Sequence, residues 1–260
     1  MILFKRHILA AHLVVGAFFL LLHSCAPLTV KPTRPLGDDE IARHIDSIRK
    51  QGRLVQTLFS SGGVVLKGPD SKARSNVLIV ATKYPLRIKI EITHPWGRPL
   101  LHMLVNETRI KALSFPEKRF YSGPISSSHQ MTFFPIRFGA DQMWNLVRGY
   151  PALELHDKAI SQKENQVSLV DSQGNIIQII EFDTEKKLPS STFFPMQDMA
   201  IAFSHIQNED EIYYSRKIVI MDHKNQTHLT LNLREMVFNT VIPKSIFELK
   251  VPADFETIFF

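Results

Sequence analysis

The chain has one cysteine, Cys25, among its 260 residues. An intramolecular disulfide is therefore impossible, and so is a metal site built from several thiolates. Glycine is also scarce, at 11 residues, and no Gly-x-Gly-x-x-Gly or other phosphate-binding loop occurs. These absences exclude disulfide-stapled scaffolds and argue against nucleotide-dependent chemistry.

The sequence also has no run of basic residues, although its formal net charge is +6. Scattered positive charge favours anionic membrane surfaces or acidic partners, and we expect no nucleic-acid partner. His223 and His228 have no third ligand at a suitable spacing, and carboxylates are spread along polar positions. We therefore expect no metal site, no cofactor, no catalytic residue and no enzymatic activity.

The first residues form a targeting segment. Lys5 and Arg6 precede an apolar stretch over 8–22, which His12 alone interrupts. This stretch is shorter than the roughly 20 residues that a bilayer-spanning helix needs. The pattern predicts a signal peptide over 1–24 rather than a transmembrane helix.

The end of that segment, Leu-His-Ser-Cys over 22–25, resembles the bacterial lipobox. The resemblance implies cleavage after Ser24, diacylglycerol on the Cys25 thiol and a fatty acyl group such as palmitate on the freed amine. Two or more acyl chains anchor a protein stably. Ala26 follows instead of the aspartate that retains lipoproteins at the inner membrane. We thus expect a lipid-anchored protein of the outer membrane that faces the periplasm.

A proline-containing stretch over 25–37 lacks apolar periodicity and predicts a lipidated flexible tether. One domain is then expected over 38–260. Apolar residues at helical spacing predict a helix that starts after Asp38 or Asp39 and stops at Gly52. A second helix is predicted over 140–148, ended by Gly149.

Most of the remaining sequence shows strand patterns. Leu86, Ile88, Ile90 and Ile92 alternate with charged residues, as in a half-buried antiparallel strand. Further strands are predicted over 54–67 with a bend at its two glycines, 75–82, 100–105, 109–114, 119–121, 166–171, 176–183, 199–206, 212–221, 228–237 and 246–251. A sheet of this size must curl or close. The predicted fold is mainly β (α+β), a curled antiparallel sheet forming an unclosed half-barrel with helices covering its concave mouth.

Two motifs and the order of these elements resemble the LolA/LolB superfamily of periplasmic lipoprotein carriers, especially its LolB-type lipoproteins. The first motif is the alternating strand that runs into His-Pro-Trp-Gly over 94–97. The second is Gln-Met-Trp-Asn-Leu-Val-Arg-Gly-Tyr-Pro over 142–151. An uncharacterised lipoprotein family with the same half-barrel matches nearly as well.

The resemblance implies a hydrophobic cavity that binds acyl chains, and a role in receiving and inserting lipoproteins at the outer membrane. The expected partners are the membrane, an acylated lipoprotein or another lipid, and a soluble LolA-like carrier. Pro95, Trp96 and Gly97 would form the membrane-insertion loop. The candidate cavity-lining residues are Leu86, Ile88, Ile90, Ile92, Met143, Trp144 and Val147.

Each of these assignments has an alternative. Trp96 could fold back onto the sheet, Trp144 could pack in an ordinary core, and the concave face could enclose no cavity. The apolar segment over 193–196 fits a buried strand or a second membrane-facing loop. The alternative function is a non-enzymatic envelope-assembly or structural lipoprotein that uses the half-barrel as a protein-binding surface.

Overall fold

The computed structural model describes residues 34–69, 72–126 and 138–260. The predicted signal peptide, Cys25 and the tether up to residue 33 lie outside the described residues and stay predictions. Within these three ranges, no helix is long and apolar enough to cross a bilayer.

Fourteen strands of the described chain form one sheet, in the order β14-β6-β5-β4-β3-β2-β1-β13-β12-β11-β10-β9-β8-β7. Their bounds are β1 Thr57–Lys67, β2 Lys72–Thr82, β3 Arg87–Thr93, β4 Pro99–Asn106, β5 Arg109–Ser114, β6 Arg119–Pro124, β7 Lys158–Ile160, β8 Gln166–Val170, β9 Ile176–Phe182, β10 Pro189–Phe194, β11 Met199–Glu209, β12 Ile212–Asp222, β13 Thr227–Phe238 and β14 Glu256–Phe259. All neighbours are antiparallel except β6 and β14. The two end strands, β14 and β7, do not pair, so the predicted unclosed, mainly β half-barrel is confirmed.

Strand β1 joins the two halves of the sheet because it pairs with both β2 and β13. Its pairing with β13 shifts register between Ser61 and Gly62, which confirms the predicted bend at the glycines. In β3, Ile88 and Ile90 are buried, while the charged residues that alternate with them, Arg87, Lys89 and Glu91, are partly exposed. The alternation therefore separates a core face from an outer face.

Helix α1 spans Asp38–Leu54 and differs from the prediction at both ends. Its N-cap is Gly37, whose N–H donates to the Glu40 carboxylate at 2.9 Å. Gly52 does not end the helix, because α1 continues to Leu54 before Val55 adopts an extended conformation. Glycine costs a helix about 1 kcal/mol but does not stop it. The isoleucine stripe of α1 packs on β8 and β9.

Helix α2 spans Ala140–Arg148, as predicted. Gly149 ends it in the left-handed conformation, with φ 75°. This helix buries Met143, Trp144 and Val147 in the main core, against residues of β1–β4, β12 and β13. The two helices thus cover different parts of the sheet.

The C-terminal segment corrects the prediction of a strand over 246–251. A 3-10 turn, Lys244–Phe247, occupies its start, and no strand follows until β14. The segment is held by side-chain contacts: the Arg87 guanidinium lies 6.0 Å from the Phe247 ring centre, and the rings of Phe115 and Phe255 are 5.6 Å apart. The short strands β7 and β14 were not predicted, and of β10 only the last two residues fall in the segment 193–196, for which a buried strand was one of the two interpretations.

Stability should depend on pH through His44. Its ring lies 4.0 Å from that of Phe182, and burial, followed by the nearby Lys187 charge, lowers the pKa of His44 below its usual 6.5. The unfolded chain therefore binds this proton more tightly than the folded chain does, so folding stability falls as the pH drops below about 6.5. Urea unfolding between pH 7.5 and 5 should show a shallower pH dependence for His44→Phe; an unchanged slope would assign the dependence to other groups.

Candidate functional site

An apolar cavity lies between the concave face of the sheet and helix α2. Its volume is about 50 Å³. Strands β1–β4, β12 and β13 supply most of the lining, and Phe138 and helix α2 supply the rest. Every lining side chain is a hydrocarbon or a methionine, so the site offers burial and no hydrogen bonds to a ligand.

The structure places four of the predicted lining residues at this cavity: Ile90, Ile92, Met143 and Val147. The other three, Leu86, Ile88 and Trp144, are buried in the same core cluster but do not border the cavity. Sequence analysis missed lining residues on the other strands, including Val64, Val77, Ile220 and Leu231. The alternation of Leu229, Leu231 and Leu233 in β13 was the signal that could have identified Leu231, whereas apolar residues are consecutive over 77–81 in β2 and over 218–221 in β12 and give no period of two.

The cavity wall is least buried near one end of the strands. Ile92, at the end of β3, and Leu229, near the start of β13, are only partly buried. Deeper in the sheet, Met103, which pairs with Ile90, is 1% exposed. Of the residues that the structure describes, the fewest would obstruct an apolar ligand at the end of the strands that carries the β3–β4 turn.

That turn presents Trp96 to solvent. The indole is 91% exposed, so it does not fold back onto the sheet. Gly97 closes the turn at φ 87°, and its N–H donates to the His94 carbonyl at 2.8 Å. The His94 ring contacts the indole edge-on at 5.1 Å. Whether this loop inserts into a membrane stays a prediction.

Polar contacts hold both ends of α2. At its start, Asp141 forms an ion pair with Lys83, whose ammonium lies 5.7 Å from the Trp144 ring centre. At its end, the Arg148 guanidinium donates to the Gln51 carbonyl of α1 at 2.9 Å. These contacts fix the helix that forms one wall of the cavity.

Arg148 is fully buried, yet no carboxylate in the described ranges pairs with it. Burial lowers the pKa of Arg148 to about 10, so it remains protonated at neutral pH. Its guanidinium lies 5.0 Å from the Tyr150 ring centre, and burial raises the pKa of Tyr150 to about 12. The carbonyl end of α1 and the aromatic ring stabilise this charge.

Two solved structures share this arrangement of strands. A DUF1329 family protein from Desulfovibrio piger aligns over 80% of this chain and 97% of its own, at 12% identity and a TM-score of 0.57. A LolA superfamily protein from Nitrosomonas europaea aligns over the same shares, at 12% identity and a TM-score of 0.51. The chain has a LolA/LolB-like fold. No protein-family model matches the sequence. No curated protein matches it either.

The LolA-like half-barrel also carries a larger cleft outside the cavity. This cleft has a volume of about 590 Å³ and lies between α1, the start of α2 and residues 151–156. Its lining mixes apolar side chains with Arg49, Asp141, Glu154 and His156. The Glu154 carboxylate accepts a hydrogen bond from the Gln142 amide at 2.6 Å. A hydrocarbon chain would leave these polar groups without water, so the smaller apolar cavity suits an acyl ligand better.

The described residues contain no group of three or more His, Cys, Asp or Glu side chains that could hold a metal ion.

Proposed function

We propose that this protein is a membrane-anchored, non-enzymatic carrier that binds acyl chains in its apolar cavity. It would receive acylated lipoproteins from a soluble LolA-like carrier, or carry another lipid, and insert its cargo into the outer membrane. The observation that carries the proposal is the wholly apolar cavity on the concave face of a LolA-like fold.

Burial of the cargo's acyl chains would drive binding. Each methylene group removed from water contributes about 0.8 kcal/mol, so a chain of ordinary length needs no polar contact for affinity. No bond is made or broken. Transfer would then proceed because the membrane offers the acyl chain a larger apolar environment than the cavity does.

The cavity must enlarge to hold such a chain. Ligand sites usually measure about 300–1,000 Å³, whereas this cavity measures about 50 Å³. Helix α2 is the element to move, because it is short and the Asp141–Lys83 contact at its start is exposed on the aspartate side. Displacing Met143 and Val147 from the concave face would join their volume to the cavity.

The anchor completes the proposal. Residues 1–24 would be removed, Cys25 would carry the acyl groups, and residues 25–37 would link them to the domain over 38–260. The tether would let the domain reach both an incoming carrier and the membrane surface. Pro95, Trp96 and Gly97 would form the loop through which the cargo enters the bilayer, since indole rings favour the membrane interface.

A second candidate is a protein-binding lipoprotein of envelope assembly. The small volume of the cavity favours it, because a packed interior needs no ligand. The mixed cleft would then be the docking site, with Leu155, which is 96% exposed at its margin, as the apolar contact. This candidate predicts a stable protein partner and no bound lipid.

Native mass spectrometry of residues 26–260, purified without detergent, distinguishes the two candidates. The carrier should retain a lipid or bind an added palmitoylated peptide in a 1:1 complex. An unliganded mass at all concentrations of added peptide would refute the carrier proposal and favour the assembly candidate.

Filling the cavity should abolish this binding. Val77 is 4% exposed and borders the cavity, so Val77→Phe places a ring in the space that the acyl chain needs. If the acyl chain must displace this ring at a cost similar to that of overpacking a core, about 1–3 kcal/mol, the affinity for the acylated peptide should fall roughly five- to 150-fold. Leu78→Phe, on the outer face of the same strand, is the matched control and should bind normally. Equal affinities for the two variants would place the ligand elsewhere.

A further inference from the structure

A second exposed apolar side chain lies on the turn between β10 and β11. Met196 is 81% exposed, although its apolar neighbours Phe194 and Met199 are 5% and 3% exposed. The 3-10 turn Pro195–Gln197 holds it out, and Asp198 closes the turn in the left-handed conformation at φ 49°. The Asp198 N–H donates to the Pro195 carbonyl at 3.2 Å. The side chain is therefore presented to solvent by an ordered turn.

Strand pairing places this turn at the same end of the strands as the turn that carries Trp96. Met199 at the start of β11 pairs with Asp222 at the end of β12, which pairs with Thr227 at the start of β13. The start of β13 pairs with the end of β1, the end of β1 pairs with the start of β2, and the first half of β2 pairs with the end of β3. The His223 N–H also donates to the Asp198 carbonyl at 3.1 Å, which ties the β12–β13 turn to the Met196 turn.

The least buried part of the cavity lies between the two turns. Ile92 precedes the Trp96 turn and Leu229 follows the β12–β13 turn, and both border the cavity. The β12–β13 turn is hydrogen-bonded to the Met196 turn. Trp96 and Met196 therefore lie on opposite sides of the partly exposed end of the cavity.

Basic side chains without ion-pair partners among the described residues lie beside the two turns. Exposed basic side chains next to the two turns have no carboxylate partner in the part of the chain that the structure describes, and they are Lys67, Lys72, Arg98 and Lys224. Carboxylates at this end of the strands keep their negative charges: Asp222 and Asp171 accept hydrogen bonds from asparagines, Glu117 accepts one from the Tyr121 hydroxyl, Asp254 and Glu256 pair with Lys118 and Arg119, and Asp157 is exposed. Asp198 is exposed beside Met196. The opposite end of the strands carries the acidic turn Glu209, Asp210 and Glu211, in which Glu211 pairs with Lys50, and also the exposed Lys186 and Lys187.

We propose that the Met196 turn is a second membrane contact, which together with Trp96 docks the opening of the cavity on an anionic lipid surface. An exposed methionine enters the interface at little cost because its side chain is flexible and apolar. Lysine and arginine beside it gain attraction to anionic headgroups. The inference rests on the proposed carrier function for its purpose, since docking on two flanks would deliver an acyl chain directly into lipid.

The test uses the full chain reconstituted into vesicles that contain brominated phospholipids, which quench tryptophan only where it enters the bilayer. Met196→Trp and Val241→Trp each add one indole. Val241 is the matched site because it is 97% exposed at the opposite end of the strands. In vesicles with 30% phosphatidylglycerol, the added indole at 196 should be quenched and that at 241 should not. Equal quenching at the two sites, or none at 196, would overturn the proposal.

Charge variants test the lipid preference. In the Met196→Trp background, Lys224→Glu should lower the equilibrium constant for docking at least about fivefold on these vesicles, because one basic residue near the surface contributes that much. Lys186→Glu, at the opposite end of the strands, should leave the equilibrium constant for docking unchanged. Equal effects of the two variants, or equal quenching in pure phosphatidylcholine, would overturn the anionic preference.

Native mass spectrometry of acyl binding separates this inference from the carrier proposal. Bound lipid without quenching at 196 refutes the second contact and leaves the carrier intact. Quenching at 196 without any acyl ligand supports the contact and refutes the carrier.

Discussion

Gly62→Ala is expected to destabilise the fold by about 3 kcal/mol or more, which is near the upper range for overpacking a well-filled site. A β-carbon at residue 62 would lie 2.2 Å from the Asn232 carbonyl oxygen and 2.9 Å from the Leu233 α-carbon. Both are backbone atoms of β13, so neither can rotate away. Relief requires that β1 and β13 separate where they join the two halves of the sheet.

Gly63→Ala is the matched control for this prediction. A β-carbon at residue 63 would lie 3.7 Å from the Ser75 carbonyl oxygen, which is an ordinary contact. The alanine should change the free energy of unfolding by less than about 1 kcal/mol, or raise it by restricting the unfolded chain. Urea unfolding monitored by circular dichroism measures both variants. Similar stabilities would show that the bulge at Gly62 can absorb a side chain.

Arg148→Ala is expected to cost about 4 kcal/mol, the combined order of an unfilled cavity and a lost buried hydrogen bond. The side chain is completely buried between α1, α2 and the Tyr150 ring. Alanine would leave the space of a long side chain and remove the donor to the Gln51 carbonyl. Because that donor joins the ends of the two helices, the loss should loosen α2 on the concave face.

Arg148→Met separates packing from charge. Methionine keeps most of the volume, loses the hydrogen bond and removes the cost of burying an ion, so its net effect should stay within about 1 kcal/mol of the wild type. Urea unfolding ranks the three proteins. If alanine and methionine are equally destabilising, the guanidinium contacts rather than the filled volume stabilise this region.

These variants also connect stability with the proposed transfer of acyl chains. The cavity enlarges only if α2 moves, and the Arg148 contact with α1 opposes that movement. In Arg148→Met the helix should be released more easily without loss of the fold. Its occupancy with an acylated peptide should therefore increase, which native mass spectrometry would detect beside the wild type.

Local patterns predicted the elements that repeat over several residues. The alternation in β3 and the spacing of apolar residues in α2 both gave correct faces, because side chains two, three or four residues apart share a surface. The glycine that ends α2 was also identifiable, since a left-handed residue there has no steric cost for glycine. The prediction that Gly52 ends α1 was wrong, because a glycine permits a helix end but does not require one.

The structure brings only some of the candidate lining residues to the cavity. Ile90 and Ile92 border the cavity, but Ile88, on the same face of the same strand, lies beyond it. A repeat of two assigns a face and gives no position along it. Lining residues from β12 and β13 lie far from these in sequence, and only strand pairing through β1 and β2 brings them together.

The sequence by itself thus determined the class of the fold and the core faces of β3 and α2, since each depends on residues within a few positions of one another; the lipobox stays a prediction. The tertiary structure decided the rest: the size of the cavity, the exposure of Trp96 and Met196, the burial of Arg148 and the parallel pairing of β14. Each of these depends on which distant segments pack together. The free energy of such contacts comes from burial and complementary shape, and a one-dimensional pattern does not contain that information.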